Sequence, residues 1–318
     1  MLISPFKLKR LGMLGMNCRN RDFIGRYNDR RLYPLVDNKL KTKLLAEEYQ
    51  VATPQLRFTI REQHQIAHVG NLLKSLNGFA IKPAKGSGGK GIWVITGRDG
   101  DNFVKSSGAV ITLEDIRRHL SNTLAGLYSL GGANDEVLIE DLIEFDDCFK
   151  DFSFEGVPDI RIVVFRGFPV MAMLRLATRA SDGKANLHQG AVGVGIDLAS
   201  GRSLNAVQFG RPVYQHPDTQ RDLSAINIAD WHGMLMLASR CYDMTGLGYI
   251  GADIVLDANR GPELLELNAR PGLAIQVANG RGLLPRLRHV ETLKEKHFPD
   301  ALSRVNYVQE RFAAETLL

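Results

Sequence analysis

Residues 251–255 read GADIV and residues 263–272 read ELLELNARPG. These two stretches indicate the fold class more strongly than any other part of the chain. Each stretch is an apolar, strand-like run, and the turn-forming residues between them predict a hairpin. Because alternate side chains of a strand share a face, Glu266 and Asn268 are expected on one side, beside Asp253 of the partner strand. Two carboxylates and an amide oxygen suit Mg²⁺ or Mn²⁺ that takes its other ligands from phosphates and water. The pattern indicates nucleotide chemistry, although an amphipathic hairpin with solvent-facing acids has the same pattern.

A second signal is a glycine-rich loop between two strand-like runs. Residues 79–83 read FAIKP, residues 86–91 read GSGGKG, and residues 92–95 read IWVI. Such a loop exposes backbone N–H groups to phosphate oxygens, and Lys82 adds a positive charge at the strand end. The loop matches neither a Walker loop nor a dinucleotide fingerprint, and by itself it is also consistent with a flexible turn. Together with the first stretch, it favours nucleotide binding.

The ordered motifs resemble the ATP-grasp carboxylate–amine ligases, and within them the branch that adds glutamate to protein or peptide termini. The resemblance runs from about residue 37 to residue 280. Besides the stretches above, its carriers are DNK at 37–39, VLIEDLI at 137–143, DIR at 159–161 and NLHQG at 186–190.

The resemblance implies an α+β ATP-grasp fold, in which two subdomains grip ATP between their sheets and the glycine-rich loop acts as a lid. The implied divisions are a short N-terminal segment (1–36), a lid subdomain (37–139), a C-terminal subdomain with the metal site (140–290) and a helical tail (291–318). Such ligases usually begin with a separate α/β domain. We therefore expect most of that domain to be lacking, with the arginines between residues 19 and 31, or a partner protein, completing the substrate pocket.

The resemblance also implies which residues contact ATP. The lysines and the loop residues are expected to contact the phosphates. The backbone of the 140–142 hinge is expected to contact the adenine, and the remaining residues are expected to contact other parts of the nucleotide. The expected residues are Lys39, Lys82, Gly86, Ser87, Gly88, Gly89, Glu140, Asp141, Leu142, Asp159, Lys184 and Asn186. Alternatives stay open: Lys39 as a solvated helix lysine, with Lys43 a weaker candidate, and the hinge as a buried strand with an acidic tail. Lys184 replaces an arginine of the relatives and loses its bidentate fork.

The implied reaction is activation of a carboxylate by ATP as an acyl phosphate, followed by attack of an amine to give an amide, ADP and phosphate. Metal binding, by two ions of Mg²⁺ or Mn²⁺, is assigned to Asp253, Glu266 and Asn268. The catalytic candidates are Arg161, Arg175, Asn186 and Arg270. Both Arg161 and Arg175 suit an oxyanion or a substrate carboxylate, or equally a structural ion pair. The relatives commonly carry serine at the position of Arg270, so this arginine indicates either another substrate carboxylate or a pair with Glu266.

Composition limits the remaining classes of protein. The 318 residues carry a net charge of +5, which mildly favours acidic substrates, and the basic residues are spread rather than striped, which disfavours nucleic acid. No apolar run reaches membrane length and no signal peptide is recognised. Three cysteines form no metal spacing and fit a reducing compartment. We expect a cytoplasmic enzyme that forms homo-oligomers as its relatives often do.

Local signals predict several elements. Residues 37–49 have a helical pattern with Asp37 as N-cap, and Thr112 is expected to cap a helix that runs to about residue 129. Residues 231–246 form a further amphipathic helix. Two alternatives to a glutamate-adding ligase stay open: an ATP-grasp ligase that makes another small amide, and an ATP-binding sensor or scaffold without catalysis.

Overall fold

The computed structural model of the protein describes residues 4–86 and 88–313. The chain divides into two compact units. The larger unit contains residues 1–36, 45–52 and 145–318, and the smaller unit contains residues 37–44 and 53–144. The described parts of the expected N-terminal segment and C-terminal tail, residues 4–36 and 291–313, belong to the larger unit.

Five helices precede the first strand in the described part of the chain, and most strands follow one another in runs. The helices are α1 (Pro5–Arg10), α2 (Met16–Cys18), α3 (Gly25–Tyr27), α4 (Pro34–Asp37), α5 (Lys39–Glu48), α6 (Val69–Leu73), α7 (Leu113–Leu124), α8 (Trp231–Thr245), α9 (Ile275–Asn279), α10 (Leu284–Thr292) and α11 (Ala301–Arg311). The strands are β1 (Leu56–Ile60), β2 (Phe79–Pro83), β3 (Trp93–Asp99), β4 (Asn102–Lys105), β5 (Val110–Ile111), β6 (Val137–Glu140), β7 (Asp159–Phe165), β8 (Phe168–Leu176), β9 (Val192–Ile196), β10 (Ser203–Gln208), β11 (Arg211–Pro212), β12 (Tyr249–Asp257) and β13 (Gly261–Asn268).

The smaller unit is built on an antiparallel sheet in the order β1-β6-β2-β3-β4-β5. Its core joins apolar residues of the sheet, such as Ile81 and Ile139, to Ile116 and Leu120 of α7. Thr112 caps α7 in a reciprocal capping box with Asp115, as the sequence predicted, but the helix ends at Leu124 rather than near residue 129. The glycine-rich loop connects β2 and β3 of this sheet.

The start of α5 corrects one prediction. Asp37 is the last residue of α4, and the N-cap of α5 is Asn38 instead. The Asn38 side-chain oxygen accepts from the backbone N–H groups of Leu40 (2.9 Å) and Lys41 (3.1 Å). Asparagine caps a helix as well as aspartate does, so composition alone did not separate the two neighbours.

The larger unit is built on an antiparallel sheet in the order β11-β10-β9-β8-β7-β12-β13. Helix α8 packs against β7, β12 and β13, and ends at Gly246 in the left-handed conformation (φ 68°). On β7, fully buried Ile160 and Ile162 alternate with Asp159 and Arg161. Because the side-chain period of a strand is two, one face of the central strands is apolar and the other carries charged groups.

The first 36 residues are joined to the larger sheet by hydrogen bonds. Buried Asn28 donates from Nδ2 to the carbonyls of Tyr249 (2.7 Å) and Ala269 (3.2 Å), and its Oδ1 accepts from the Tyr249 N–H (2.8 Å). Buried Gln276 accepts from the Leu14 N–H (2.7 Å). The segment is therefore part of the folded unit, held at the start of β12 and just beyond the end of β13.

In the part of the chain that the structure describes, no helix combines the length and the apolar character needed to cross a bilayer.

Candidate functional site

The predicted metal ligands come together on the hairpin of β12 and β13. Asp253 lies directly opposite Glu266, and Gly251 lies opposite Asn268. Directly opposed residues of antiparallel strands share a face. The Asn268 amide donates to Oδ2 of Asp253 at 3.3 Å, which places the amide group at the carboxylate. The structure therefore brings together the three oxygen-bearing side chains that the sequence singled out.

Both predicted catalytic arginines of the central strands pair with aspartates. Arg161 donates to Asp253 through Nε to Oδ1 (2.6 Å) and through Nη2 to Oδ2 (2.5 Å). Arg175 lies 2.9 Å from the same Oδ2 and also donates from Nε to Asp159. These four charged side chains balance in charge, and the two aspartates are less than a tenth exposed. We call Asp159, Arg161, Arg175 and Asp253 the charged tetrad.

The tetrad sets different pKa values for its two carboxyl groups. Burial opposes ionisation of Asp253, but the charges and hydrogen bonds of Arg161 and Arg175 outweigh it and lower the pKa of Asp253 to about 2. Burial is the largest influence on Asp159 and raises its pKa to about 6, against the attraction of Arg175. Asp253 is therefore held as a carboxylate at neutral pH, the form that a metal ligand requires.

The donor set fits a hard cation that keeps non-protein ligands. Within residues 4–86 and 88–313, no group of three or more His, Cys, Asp or Glu side chains is placed to hold a metal ion. Two carboxylates with one amide oxygen instead match the partial coordination of Mg²⁺, which completes its shell with water and phosphate oxygens.

In the smaller unit, two lysines share one buried carboxylate. Glu140, at the end of β6, lies 2.7 Å from Lys82 Nζ of β2 and 3.1 Å from Lys43 Nζ of α5. Burial opposes its ionisation, yet Lys82 and Lys43 hold the pKa of Glu140 below its usual range. The three groups carry a net charge of +1. Such a surplus positive charge in a partly desolvated place attracts an anion such as a phosphate.

The glycine-rich loop has the backbone that its composition predicted. Gly88 (φ 63°) and Gly89 (φ 75°) adopt positive φ values, where a side chain would be strained. The Gly86 carbonyl accepts from Lys39 Nζ at 2.7 Å, so Lys39 contacts the loop itself. The predicted residue Ser87 lies outside the described residues. The arrangement suits a loop that presents its backbone to an oxyanion.

Where the loop rejoins β3, a buried histidine fixes its backbone. The Nε2 atom of His119 is 3.0 Å from the carbonyl of Gly91, and its ring stacks on Trp93 with centroids 3.9 Å apart. At Gly91 (φ 76°) a Cβ atom would lie 2.5 Å from the ring of Tyr128. Burial lowers the pKa of His119 to about 4, so the ring is neutral in the folded protein.

This histidine predicts how the stability of the protein depends on pH. The folded-state pKa of about 4 lies below the ordinary value of 6.5. Above pH 6.5 the ring is neutral in both states, and its contribution to the free energy of unfolding is complete. As the pH falls towards 4 the unfolded chain binds the proton first, so this contribution is lost. Each unit of pKa difference is worth ~1.4 kcal/mol, less what partial solvent access screens. We expect the free energy of unfolding, measured with a denaturant, to fall by about 1–2 kcal/mol between pH 6.5 and pH 4 because of this residue. In His119→Gln this part of the pH dependence should disappear, and an unchanged pH profile would contradict the assignment.

The hinge residue Asp141 forms hydrogen bonds that the resemblance did not imply. The Asp141 backbone N–H donates to the Gln55 carbonyl (3.0 Å), and its carboxylate accepts from Arg57 at 2.6 and 2.7 Å. Gln55, the residue before β1, thus accepts from the Asp141 N–H. The adenine-contacting roles of Glu140, Asp141 and Leu142 stay predictions.

Lys184 and Asn186 lie in the loop between β8 and β9. Lys184 Nζ pairs with Asp182 at 2.9 Å, and Asn186 accepts from the His188 N–H at 3.0 Å. Neither contact identifies a nucleotide role, and both assignments stay predictions. Asn186 acts here as the cap of a short 3₁₀ turn.

The guanidinium of Arg270 lies over the ring of Tyr33, 5.4 Å from its centroid. Arg270 is exposed, and among the described residues no ion pair joins it to a carboxylate. Of the two alternatives left open for this residue, a pair with Glu266 is therefore not what the structure shows. The contact with Tyr33 could not be read from the sequence, because the two residues are far apart in the chain.

The structure gives Lys43 a partner that the sequence did not indicate. Lys43, the weaker of the two lysine candidates on α5, is only 5% exposed and lies 3.1 Å from Glu140. The available signal was its spacing from Lys39, since residues four apart lie on one face of a helix. A buried lysine requires a partner, and a phosphate contact by Lys39 or Lys43 stays a prediction.

Comparison with known proteins identifies the family. The model of the sugar-transfer associated ATP-grasp family matches residues 18–292. Among solved structures, the ATP-grasp ligase PsnB with a minimal precursor is 14% identical, with a TM-score of 0.43, and the match covers 83% of this chain and 63% of PsnB. This chain thus spans less than two thirds of that protein. No curated protein matches it.

Two further solved structures are similarly distant. D-alanyl-alanine synthetase A from Vibrio cholerae is 11% identical with a TM-score of 0.46, and the match covers 89% of this chain and 68% of that one. D-alanine–D-alanine ligase from Helicobacter pylori is 15% identical with a TM-score of 0.43, covering 82% of this chain and 62% of that one. The expected α+β ATP-grasp fold is confirmed by the family match together with the two antiparallel sheets. Because the matched residues make up most of the chain, this protein belongs to the sugar-transfer associated ATP-grasp family.

Proposed function

We propose that this protein is an ATP-dependent carboxylate–amine ligase. It activates a carboxylate by phosphoryl transfer from ATP, and an amine then displaces phosphate from the acyl phosphate to form an amide. ADP and phosphate are released. The observation that carries the proposal is the hairpin on which Asp253 faces Glu266, with the Asn268 amide 3.3 Å from Asp253.

The metal would be held by Asp253, Glu266 and Asn268. When bound, Mg²⁺ neutralises phosphate charge and favours transfer of the terminal phosphoryl group. Arg161 and Arg175 hold the Asp253 carboxylate in place and keep it ionised. A set of preorganised charges of this kind stabilises developing negative charge without rearrangement during the reaction. A non-catalytic ATP sensor has less use for a complete metal-binding set, although it remains the alternative that the experiment must test.

The phosphates of ATP would contact Lys82 and the glycine-rich loop. Lys82 lies near the end of β2 with its side chain 14% exposed, and its ammonium group shares Glu140 with Lys43. Lys43 is the more deeply buried of the two lysines, so we assign it to holding Glu140 and Lys82 in position. Lys82 is the lysine that reaches the nucleotide.

Replacing Lys82 by methionine should weaken ATP binding by about 10- to 100-fold, because a charge-assisted contact to phosphate is lost. The protein should stay folded, since Lys43 remains 3.1 Å from Glu140. Isothermal titration with ATP measures the effect. Lys74→Met, at an exposed lysine of the same unit, is the matched control and should bind ATP normally. Equal ATP affinity in Lys82→Met and wild type would remove Lys82 from the site.

For the substrates, we propose glutamate or a similar amino acid as the amine. The carboxylate would come from a peptide, a protein or a small molecule. The family is described as associated with sugar transfer. That description favours a second substrate class, in which a sugar acid supplies the carboxylate or an amino sugar supplies the amine. For both substrate classes, the proposed metal ligands and phosphate-binding residues would act in the same way.

The test is ADP release with Mg²⁺ and ATP across amino acids, short acidic peptides, sugar acids and amino sugars, singly and in pairs, with mass spectrometry of the products. ADP release that requires a pair, together with a condensed product, supports the ligase and names its substrates. ATP binding without substrate-dependent ADP release in any mixture would contradict it and favour the sensor. Repeating the ADP-release assay at several protein concentrations tests whether the activity depends on the proposed homo-oligomer.

A further inference from the structure

The turn that follows β13 is flanked by two arginines. Arg270 is exposed and its guanidinium lies over the ring of Tyr33 at 5.4 Å. Arg19 donates from Nη1 to the carbonyl of Pro271 at 2.8 Å, and from Nε and Nη2 to the Asn20 side chain at 3.1 and 2.9 Å. Arg270 thus belongs to this turn and the Arg19 guanidinium is hydrogen-bonded to it, two and three residues beyond the proposed metal ligand Asn268.

Neither of these arginines forms an ion pair with a carboxylate within residues 4–86 and 88–313. Other arginines near them do: Arg21 pairs with Asp22, Arg26 lies 3.6 Å from Glu291, and Arg31 pairs with Asp29. Arg19 is half-buried as well, so its charge is partly desolvated. A partly desolvated cation without a carboxylate is the condition under which an external anion binds most favourably.

The turn itself is rigidly held. Buried Asn28 donates to the carbonyl of Ala269, the residue before Arg270, and also bonds both backbone groups of Tyr249. The planar guanidinium of Arg270 rests on an aromatic ring, which fixes its plane while leaving its N–H edge available. Because little side-chain freedom remains to be lost, such a preorganised edge binds a planar or tetrahedral oxyanion at low entropic cost.

We propose that Arg270 and Arg19 bind an anionic group of the substrate, either a carboxylate or a phosphate, apart from the carboxyl group that reacts. The inference rests on the proposed ligase function and narrows its substrates to molecules with a second oxyanion. Acidic amino acids and sugar acids carry it as a carboxylate, and phosphorylated sugars carry it as a phosphate. The first 36 residues supply both Arg19 and the ring that supports Arg270, so they build this part of the substrate pocket.

The experiment measures binding of defined anions to the intact chain without ATP. One arm uses L-glutamate and glucuronate, and the other uses inorganic phosphate and glucose 1-phosphate, followed by ligand-observed NMR or calorimetry. Arg270→Gln is compared with Arg221→Gln. Arg221 is a close match, because it is also exposed and also lies over an aromatic ring, that of Phe152 at 5.8 Å, but it has a carboxylate neighbour in Asp151.

We expect Arg270→Gln to weaken anion binding by about 10- to 100-fold, Arg221→Gln to leave it unchanged, and ATP binding to be equal in all variants. Arg270→Lys should restore only part of the affinity, because lysine lacks the bidentate fork. Whether the carboxylates or the phosphates bind identifies the kind of oxyanion that the site takes. No binding of any of these anions up to about 10 mM, or an equal loss in Arg221→Gln, would overturn the proposal. Anion binding that depends on Arg270, without ADP release in any mixture, would keep this site and reject the ligase.

Discussion

Replacing Glu266 by glutamine should reduce ATP turnover by on the order of 10²–10³-fold, the loss typical when one preorganised charge of a transition state is removed. Glu266 faces Asp253 across the β12–β13 hairpin and is only half-buried, so an isosteric amide at this position should leave the fold intact. One of the two carboxylates that hold the metal would lose its charge. Steady-state ADP release measures the effect, and Mn²⁺ binding followed by electron paramagnetic resonance gives a readout that does not depend on turnover.

Two comparisons make this test specific. Glu266→Asp keeps the charge and should retain part of the Mn²⁺ affinity, whereas Glu310→Gln makes the same charge change at an exposed site on α11 and should have no effect. If Glu266→Gln binds Mn²⁺ and turns over ATP as well as wild type does, the metal assignment is wrong. If Mn²⁺ binding is lost but no ligase activity exists in wild type, the metal site stands without the proposed reaction.

Replacing Arg175 by methionine should destabilise the protein by ~3–5 kcal/mol, because removing one partner of a buried ionic cluster leaves an uncompensated charge. Arg175 bonds Asp159 and lies 2.9 Å from Asp253, and both aspartates are less than a tenth exposed. Without Arg175 two buried carboxylates would share the single guanidinium of Arg161. Thermal unfolding should show a fall in Tm on the order of 10 °C.

A double-mutant cycle separates the charge imbalance from the loss of packing. Asp159→Asn in the Arg175→Met background removes the second carboxylate and leaves Arg161 paired with Asp253, so the double variant should recover part of the lost stability. Arg221→Met is the control, since its pair with Asp151 is more than half exposed on both sides and should contribute less than about 1 kcal/mol. A double variant no more stable than Arg175→Met alone would show that packing, not charge, explains the loss.

Much of the fold could be predicted from local patterns. The hairpin of β12 and β13, the helix α8 and the cap of α7 were each expected, because strand alternation, helical periodicity and capping chemistry depend on neighbouring residues. Errors occurred where two adjacent residues suited one role, as with Asp37 and Asn38 at the start of α5. The length of α7 was also overestimated, because the helix stops at Gly126, which follows the C-cap Ala125 with a positive φ of 85°, and this stop signal was not used.

The candidate site was predictable in its residue types but not in its pairings. Asp253, Glu266 and Asn268 were recognisable because the strand repeat puts Glu266 and Asn268 on one face and the hairpin sets Asp253 opposite Glu266. That Arg161 and Arg175 act on Asp253 depends on the registers of β7 with β8 and β12, which join residues far apart in the chain. The same holds for Lys43 with Glu140 and for Arg270 with Tyr33.

The sequence by itself therefore determined the ATP-grasp fold, the β12–β13 hairpin and the strands on either side of the glycine-rich loop, because these follow from spacing along the chain. Only the tertiary structure decided which charges neutralise one another and which do not. A guanidinium next to a buried carboxylate is committed to an ion pair, whereas one held over an aromatic ring without a carboxylate keeps its charge for a ligand. This difference distinguishes Arg175, whose partners are Asp159 and Asp253, from Arg270, and it depends on distances that no linear pattern contains.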